Sequence, residues 1–275
     1  MGFHGIHVLS RVRPAAVRLP VSHHRSRRPI PANGGIPPSS AGTAVTGADP
    51  ATGPRPFLEH LSAKEREELL ALGVTRTLRT GTVMLTEGAR DTHVEILRSG
   101  HVKVTRSSGG TPRLMGIRLP GDIVGEFAAI TGNGRQATVT TCDEVVSTVI
   151  RQADFLQFLA GHPRVANQLT ATVGERLQWA NTRRSEFTAF PVHVRLARVL
   201  GDIAIGAGEA AGDGVLIGVP LSHAELASLV GAAEDTVQKA LRHLRRRGLI
   251  RTGYRRIIVL DLDALQALAD EPGTP

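Results

Sequence analysis

The sequence predicts an α+β protein composed of an N-terminal β-roll, a long helix and a C-terminal winged helix-turn-helix domain. Three observations predict this order. Residues 74–150 alternate β-branched and polar residues, with turn signals about every 8–12 residues. Residues 152–190 then change to a helical period. Residues 221–250 place small residues and glycine at the offsets of two closely crossing helices.

The net charge of +8 comes mainly from the N-terminus. Residues 1–56 hold seven arginines and one acid, Asp49, so they contribute +6 and leave +2 for residues 57–275. Their Pro, Gly, Ser and Arg content, without hydrophobic periodicity, predicts a disordered basic tail. The tail could be a basic arm, an organellar transit peptide or translated upstream sequence.

The single cysteine, Cys142, excludes intrachain disulfides and four-cysteine clusters and favours a reducing, cytoplasmic compartment. No apolar run approaches the roughly 18 residues of a membrane span, so we expect no membrane contact.

The folded part begins with a short helix after Phe57, where Ser62 and Glu65 have capping-box spacing. The stretches that follow read as strands: GTVMLTEG, HVEILRSGHVKVTR, TPRLMGIRLPGD and ATVTTCDEVVSTVI. Short strands separated by glycine turns predict a small jelly roll.

A long helix follows, with an apolar stripe at helical spacing. The stripe comprises Leu169, Val173, Leu177, Ala180 and Phe187. It could pack on the chain's own sheet or form the seam of a homodimer. A further helix is expected from about Pro191 to Ile205, and then a Gly/Ala-rich loop through Gly214.

The most specific pattern is LSHAELASLVGAAEDTVQKALRHLRRRGLI, residues 221–250. Ser222 and Glu225 again have capping-box spacing, Gly231 lies at the turn between two helices, and Gly248 ends the second helix. The expected buried positions of the second helix are Val237, Ala240, Leu241 and Leu244.

A hairpin, LIRTGYRRIIVL, follows with Gly253 in its turn and reads as a wing. Residues 239–256 contain eight Lys or Arg and no acid. We therefore expect double-stranded DNA as the partner, with the second helix in a major groove and arginines on phosphates.

This combination resembles the Crp/Fnr family of bacterial transcription factors, in an actinobacterial form, over about residues 57–262. The resemblance rests on PGDIVGEF…RQATV, RLQWANTRRSEF and the winged helix. It implies a homodimer joined through the central helix, with RNA polymerase as a partner if the chain is an activator. The implied domains are an effector-binding roll (57–162), a dimerisation helix (163–190) and a DNA-binding domain (191–270).

The resemblance also implies an effector site for a cyclic nucleotide, cAMP or cGMP. In the family's cyclic-AMP binders the Glu of the Gly-Glu pair accepts a hydrogen bond from the ribose, and the later Arg binds the cyclic phosphate. Glu126 and Arg135 match those positions. The expected effector residues are Gly125, Glu126, Phe127, Arg135, Gln136, Ala137, Ala180 and Asn181.

Two departures from the family's pattern leave the identity of the effector open. Gln136 stands where Ser or Thr is usual, and Ala180-Asn181 replaces a Thr-Ser pair on the central helix. The alternatives are a cyclic nucleotide, another small effector, or a ligand-free roll in which Glu126 and Arg135 pair with each other.

The DNA-reading positions depart further, because Glu234, Asp235 and Lys239 stand where the family's activator has an Arg-Glu pair and a later Arg. Carboxylates can only accept from bases, so we expect a different operator. The expected base contacts are Glu234, Asp235, Gln238 and Lys239. The expected phosphate contacts are Thr236 and Arg242.

An enzyme is the rival from another class, and we expect none. His93 and His101 lack the His-x-His spacing of a metal-dependent cupin, and a lone Cys142 favours a structural role. No cofactor is expected to be required, although a haem-sensing variant stays open. The other rival keeps the fold but not the ligand: a ligand-independent repressor or architectural protein.

Overall fold

The structure is a computed structural model that describes residues 55–271. The predicted disordered tail, residues 1–56, lies outside the described residues except for Arg55 and Pro56. No helix in residues 55–271 combines the length and hydropathy that crossing a membrane requires.

The N-terminal domain is the predicted jelly roll. A short 3-10 turn (Phe57–His60) and helix α1 (Ala63–Ala71) precede it, and the Ser62–Glu65 capping box is present. The strands are β1 (Val74–Leu78), β2 (Val83–Leu85), β3 (Val94–Ser99), β4 (Val102–Ser108), β5 (Thr111–Arg118), β6 (Ile123–Val124), β7 (Thr138–Thr141) and β8 (Val145–Ile150). They form two four-stranded sheets with the orders β1-β8-β3-β6 and β2-β7-β4-β5.

One short helix interrupts the roll between β6 and β7. This helix, α2, runs from Glu126 to Thr131 and is bounded at both ends by glycines with positive φ, Gly125 (84°) and Gly132 (69°). The left-handed conformation at both ends explains why glycine brackets the Gly-Glu motif.

The helical region after the roll is divided at His162 into α3 (Gln152–Gly161) and α4 (Pro163–Ala189). Proline at the first position of α4 is compatible with a helix start because its missing N–H has no intrahelical acceptor there. The long helix is thus confirmed over 163–189.

The predicted apolar stripe of α4 does not form a single face. Leu169 is buried against the roll, whereas Val173 and Leu177 are 37% and 62% exposed. Ala180 and Phe187 are half-buried. The helix therefore has one side on its own domain and a separate apolar side at the surface.

The C-terminal domain contains the predicted winged helix-turn-helix. Its elements are α5 (Val192–Ala207), β9 (Gly208–Ala211), β10 (Gly214–Ile217), α6 (His223–Val230), α7 (Glu234–Arg246), β11 (Ile250–Gly253), β12 (Arg256–Val259) and α8 (Leu262–Ala269). Helices α6 and α7 are the predicted pair, and β11 and β12 are the wing.

The predicted loop through Gly214 is wrong. Residues 208–211 and 214–217 are strands that extend the wing into a four-stranded sheet, β11-β12-β10-β9. The glycines mark close packing rather than a loop: a Cβ at Gly208 would lie 2.0 Å from the Ala204 oxygen, and one at Gly214 would lie 2.3 Å from the Val259 oxygen.

The predicted caps and core of the helix-turn-helix are all present. Ser222 and Glu225 form a capping box, and Gly231 (φ 61°) and Gly248 (φ 72°) adopt the left-handed conformation after α6 and α7. The buried residues of α7 are Val237, Ala240, Leu241 and Leu244. A Cβ at Gly231 would lie 2.6 Å from the Phe187 ring, so the close contact is with α4.

The roll and the C-terminal domain share one hydrophobic cluster. Leu114 of β5 and Cys142, which follows β7, belong to the same buried cluster as Leu226 and Val237. Burial raises the pKa of the Cys142 thiol to about 12, which fits the structural role expected for it. Close by, Lys103 Nζ of β4 lies 2.8 Å from Glu225 Oε1 of α6.

Candidate functional site

A cavity of about 130 Å³ lies inside the roll, and residues of α2 and α4 form part of its wall. We call it the roll cavity. Six of the eight predicted effector residues line it: Gly125, Glu126, Phe127, Arg135, Gln136 and Ala137. Two residues that the sequence did not single out, Arg118 and Arg176, line it as well.

Arg135 is buried and largely occupied by protein partners. Its Nε and Nη2 donate to Asp91 Oδ2, with Nε at 3.0 Å, while Nη2 also donates to the His93 carbonyl and Nη1 to the Gly125 carbonyl. The hydrogen bond from Arg135 lowers the pKa of Asp91. Four of the five guanidinium N–H groups thus have described partners, and one on Nη1 is left for a ligand.

Glu126 is bound by an arginine of the central helix rather than by Arg135. Arg176 Nη1 donates to Glu126 Oε1 at 2.7 Å, and Nη2 donates to Asp122 Oδ1 at 3.0 Å. Although burial opposes it, the two carboxylates raise the pKa of Arg176. Among the described residues no ion pair joins Glu126 to Arg135, so the ligand-free pairing considered above is wrong.

Ala180 and Asn181 are not brought to the roll cavity. Ala180 lines a second cavity, between the roll and the C-terminal domain, together with Trp179. Asn181 is exposed and lies one turn after Leu177 on the outer side of α4. The predicted effector set is therefore divided between two places in one chain.

Sequence patterns could have indicated the two additional arginines. Strand alternation from Gly116, which is buried and pairs with the cavity-lining Val104, places Arg118 on the inner side of β5. Arg176 continues the helical spacing of Leu169 and Thr172, which are buried on α4. A charged residue at an inward position was the available signal in both cases.

The predicted DNA-contacting residues lie on α7, four of them exposed. Glu234, Asp235, Lys239 and Arg242 are exposed, whereas Thr236 and Gln238 are half-buried. Because Asp235, Lys239 and Arg242 are four and three residues apart, they share one face. Glu234 and Asp235 lie in the first turn, where carboxylates also stabilise the helix N-terminus.

The wing extends this exposed basic surface. Its turn consists of Tyr254, 91% exposed, and Arg255, which has a positive φ of 52°, while Gly253 pairs with Arg256 as the last residue of β11. Away from this turn, Arg251 of β11 donates to Asp213, in the β9–β10 turn, at 2.8 Å. Exposed arginines at the end of α7 and in the wing favour contact with phosphates.

The histidines of the roll contact neighbouring charged groups and form no metal site. His93 Nδ1 and Nε2 lie 3.2 Å and 3.4 Å from Asp91 and Glu95, and His101 Nδ1 lies 2.6 Å from Asp143. Within residues 55–271, no three His, Cys, Asp or Glu side chains are grouped to hold a metal ion.

Two family models match the chain in the domains just described. The Cyclic nucleotide-binding domain matches residues 75–162, and the Crp-like helix-turn-helix domain matches residues 194–268.

Three known regulators are each similar to more than half of the chain. The chain is 28% identical over 186 residues to the CRP-like cAMP-activated global transcriptional regulator of Mycobacterium tuberculosis, covering 67% of this chain and 83% of that one. It is 30% identical over 159 residues to the transcriptional regulator LdrP of Thermus thermophilus, covering 56% and 76%. A solved transcriptional regulator of the CRP/FNR family from Thermus thermophilus has 25% identity and a TM-score of 0.60, covering 73% and 100%.

Proposed function

Because the chain belongs to the Crp/Fnr family of transcriptional regulators, we propose that it binds DNA as a homodimer and that a small effector in the roll cavity changes its operator affinity. The observation that carries the proposal is that one chain contains two sites. Six predicted effector residues line a cavity of the roll, and an exposed basic helix lies in a domain that shares its hydrophobic core with the roll.

The exposed face of α7 supports DNA binding in a major groove. Lys239 and Arg242 are exposed and free of described acidic partners, and the wing adds further arginines beside them. The proposed base contacts are Glu234, Asp235, Gln238 and Lys239, with Thr236 and Arg242 on phosphates. In a symmetric dimer the two helices would read half-sites about 34 Å apart.

The outer side of α4 supports the homodimer. Val173 and Leu177 are large apolar residues at the surface, one turn apart on a helix whose other side is already covered by the roll. A second copy of the same helix would bury this seam.

The proposed effector is a cyclic nucleotide. One Mycobacterium tuberculosis relative is described as cAMP-activated, and the roll cavity offers a carboxylate and a guanidinium of the kinds that bind a ribose hydroxyl and a phosphate. At about 130 Å³ the roll cavity is smaller than the roughly 300–1,000 Å³ of most small-molecule sites. A nucleotide must therefore widen it on entry.

The ion pair between Arg176 and Glu126 suggests how entry is transmitted. A ligand hydroxyl that donates to Glu126 would compete with Arg176 for the same carboxylate oxygens. Arg176 belongs to α4, which also contacts α6 through Phe187 and Gly231. Release of Arg176 would shift the preferred orientation of α4 and, with it, the position of the DNA-binding domain.

The test is a titration of extensively dialysed protein with cAMP and with cGMP, monitored by calorimetry. We expect saturable heat, and DNA affinity that changes at the same nucleotide concentration. Glu126→Ala should abolish both effects. The matched control, Glu144→Ala, removes an exposed acid of the same domain and should leave them intact.

A second candidate, a ligand-independent regulator, is favoured by one observation. Glu126 is bound by Arg176 and Arg135 by Asp91, so both residues have partners within the protein. If neither nucleotide gives heat and DNA affinity is already maximal in dialysed protein, this candidate replaces the effector-gated one.

The proposal assigns residues 57–162 to effector binding, 163–190 to dimerisation and 191–270 to DNA binding. Under it the chain is a regulator rather than an enzyme and acts in the cytoplasm, where its operators lie. RNA polymerase is a partner if operator position makes the chain an activator.

A further inference from the structure

A second cavity, of about 250 Å³, lies where the roll, the central helix and the DNA-binding domain meet. We call it the junction cavity. Its walls come from β5, α4, α5 and α6, so both domains contribute to one space. Of the predicted effector residues only Ala180 lies there.

Most of the junction cavity is apolar. Met115 and Ile117 on β5, Trp179 on α4 and Ile203 on α5 provide its larger side chains, and Met115 is 50% exposed. An apolar protein cavity of about 150 Å³ accommodates benzene. A cavity of about 250 Å³ therefore has room for an apolar body of about two rings.

The wall of the junction cavity includes a cation. Arg118 lines it, and within residues 55–271 this guanidinium has no ion-pair partner; Nη1 donates at 2.9 Å to the carbonyl of the adjacent Ile117. Burial, together with the neighbouring Arg176 guanidinium, lowers the pKa of Arg118 to about 10, so it is still charged at neutral pH. Gly116 leaves space for the guanidinium, because a Cβ there would lie 3.1 Å from Nη1.

The other charges at the junction cavity limit the ligand's charge. Asp122 lines it but is bound by Arg176, and Asp202 lines it but is bound by Arg183 and by the Trp179 indole N–H. One guanidinium without an ion-pair partner, in a cavity that two carboxylates also line, suits a monoanion better than a dianion.

We propose that the junction cavity is a second ligand site, which shares Arg118 and Arg176 with the roll cavity, for a small organic monoanion with an apolar body, and that Arg118 binds the anionic group. Because its walls belong to both domains, an occupant contacts the roll and α5 at once and is thereby coupled to the orientation of the DNA-binding domain. The proposal goes beyond the effector function of the roll cavity and does not rest on it.

The experiment uses the full chain and a matched pair of probes, 2-naphthoate and its uncharged counterpart 2-naphthamide, in calorimetric titrations. We expect 2-naphthoate to bind at least about tenfold more tightly than the amide, since a charge-assisted hydrogen bond to Arg118 is lost in the amide. Arg118→Gln should remove this preference and Arg118→Lys should retain part of it. Arg113→Gln, at an exposed position of the same strand, is the control and should leave it unchanged.

A second pair of variants locates the probe. Gly206→Leu projects into the junction cavity, where a Cβ already lies 2.8 Å from Leu119 Cδ1, whereas Ala137→Leu fills only the roll cavity. Loss of 2-naphthoate binding in Gly206→Leu and its retention in Ala137→Leu support the proposal.

Several outcomes would overturn it: the reverse pattern, equal affinity for both probes, or no binding of either. The unfolding temperature of each variant shows that a loss of binding is not a loss of fold. Failure here leaves the cyclic-nucleotide titration of the roll cavity untouched, because Glu126 lines the roll cavity and not the junction cavity.

Discussion

At the scale of single residues, Gly125 affects both the backbone of the Gly-Glu motif and the space available to the buried Arg135. Its φ is +84°, and a Cβ built on it would lie 2.4 Å from Arg135 Nη1 and 2.9 Å from the His93 oxygen. The glycine is thus required both for its conformation and for the space that Arg135 occupies.

Gly125→Ala should therefore destabilise the roll much more than Gly132→Ala, the change at the other end of α2. Gly132 also has a positive φ, but nothing lies within 4 Å of its Cβ position. We expect about 1 kcal/mol for Gly132→Ala from the left-handed conformation alone, and about 3 kcal/mol for Gly125→Ala. Urea unfolding measures both, and equal costs would show that Arg135 yields easily.

Lys239 and Arg242 share the exposed face of α7 but have different expected roles. We expect Lys239→Ala to relax sequence preference at one base step, by about 1–3 kcal/mol of discrimination. Arg242→Ala should instead weaken binding to all DNA sequences alike. It should also reduce the slope of log affinity against log salt concentration by about one. Selection from a random duplex library, with affinities at several salt concentrations, distinguishes them. Uniform weakening by Lys239→Ala would make it a phosphate contact.

At the scale of elements, the turn of the helix-turn-helix is fitted to α4. Gly231 and Gly248 both end helices in the left-handed conformation, but only Gly231 has a neighbour, the Phe187 ring at 2.6 Å from its Cβ position. Gly231→Ala should consequently lower the unfolding midpoint more than Gly248→Ala. Adding Phe187→Ala should recover part of the difference, and absence of recovery would show that the cost comes from the backbone alone.

Helices α5 and α7 meet at a pair of histidines. The His193 and His243 rings are 4.7 Å apart, and His193 is half-buried. Burial, then the positive charge of His243 and of Arg247, lowers the pKa of His193 below its ordinary value, while Glu271 opposes this. The unfolded chain therefore takes up a proton at higher pH than the folded chain does.

The sign of this difference predicts that the protein loses stability as the pH falls through the ordinary histidine value of about 6.5. His193→Gln should remove this part of the loss, whereas His223→Gln, at an exposed position of the same domain, should not. Urea midpoints measured between about pH 8 and about pH 5 test it. An unchanged pH dependence in His193→Gln would contradict the assignment.

At the scale of the whole molecule, α4 has a different neighbour on each side. Arg176, Arg183 and Leu169 face the chain's own domains, whereas Val173 and Leu177 face outward. The apolar outer side is where we expect the second copy.

Leu177→Glu should therefore shift the protein from dimer to monomer in sedimentation experiments and weaken DNA binding through the loss of the second half-site. The control is Leu156→Glu, the same change at an exposed leucine of α3, which should leave the dimer intact. A Leu177→Glu protein that remains dimeric would place the seam elsewhere.

The order and type of most elements could be predicted from the sequence, because the signals for them are local; β9, β10, α8 and the division between α3 and α4 were not predicted. The capping boxes at Ser62 and Ser222, the glycines after α6 and α7, and the buried positions of α7 are read within a few residues of each other. The mistaken loop before Gly214 arose because glycine was taken as a turn residue, although there it permits close strand packing.

The sequence by itself determined a jelly roll, a long helix and a winged helix-turn-helix, and it indicated six of the residues that line the roll cavity. Only the tertiary structure decided which charges pair: Arg135 with Asp91, and Glu126 with Arg176. These partners are 44 and 50 residues apart, and side chains so distant in sequence meet only when the sheets close and α4 packs on them. The junction cavity likewise has no local signature, because its walls come from β5, α4, α5 and α6 and enclose a space only when both domains are packed.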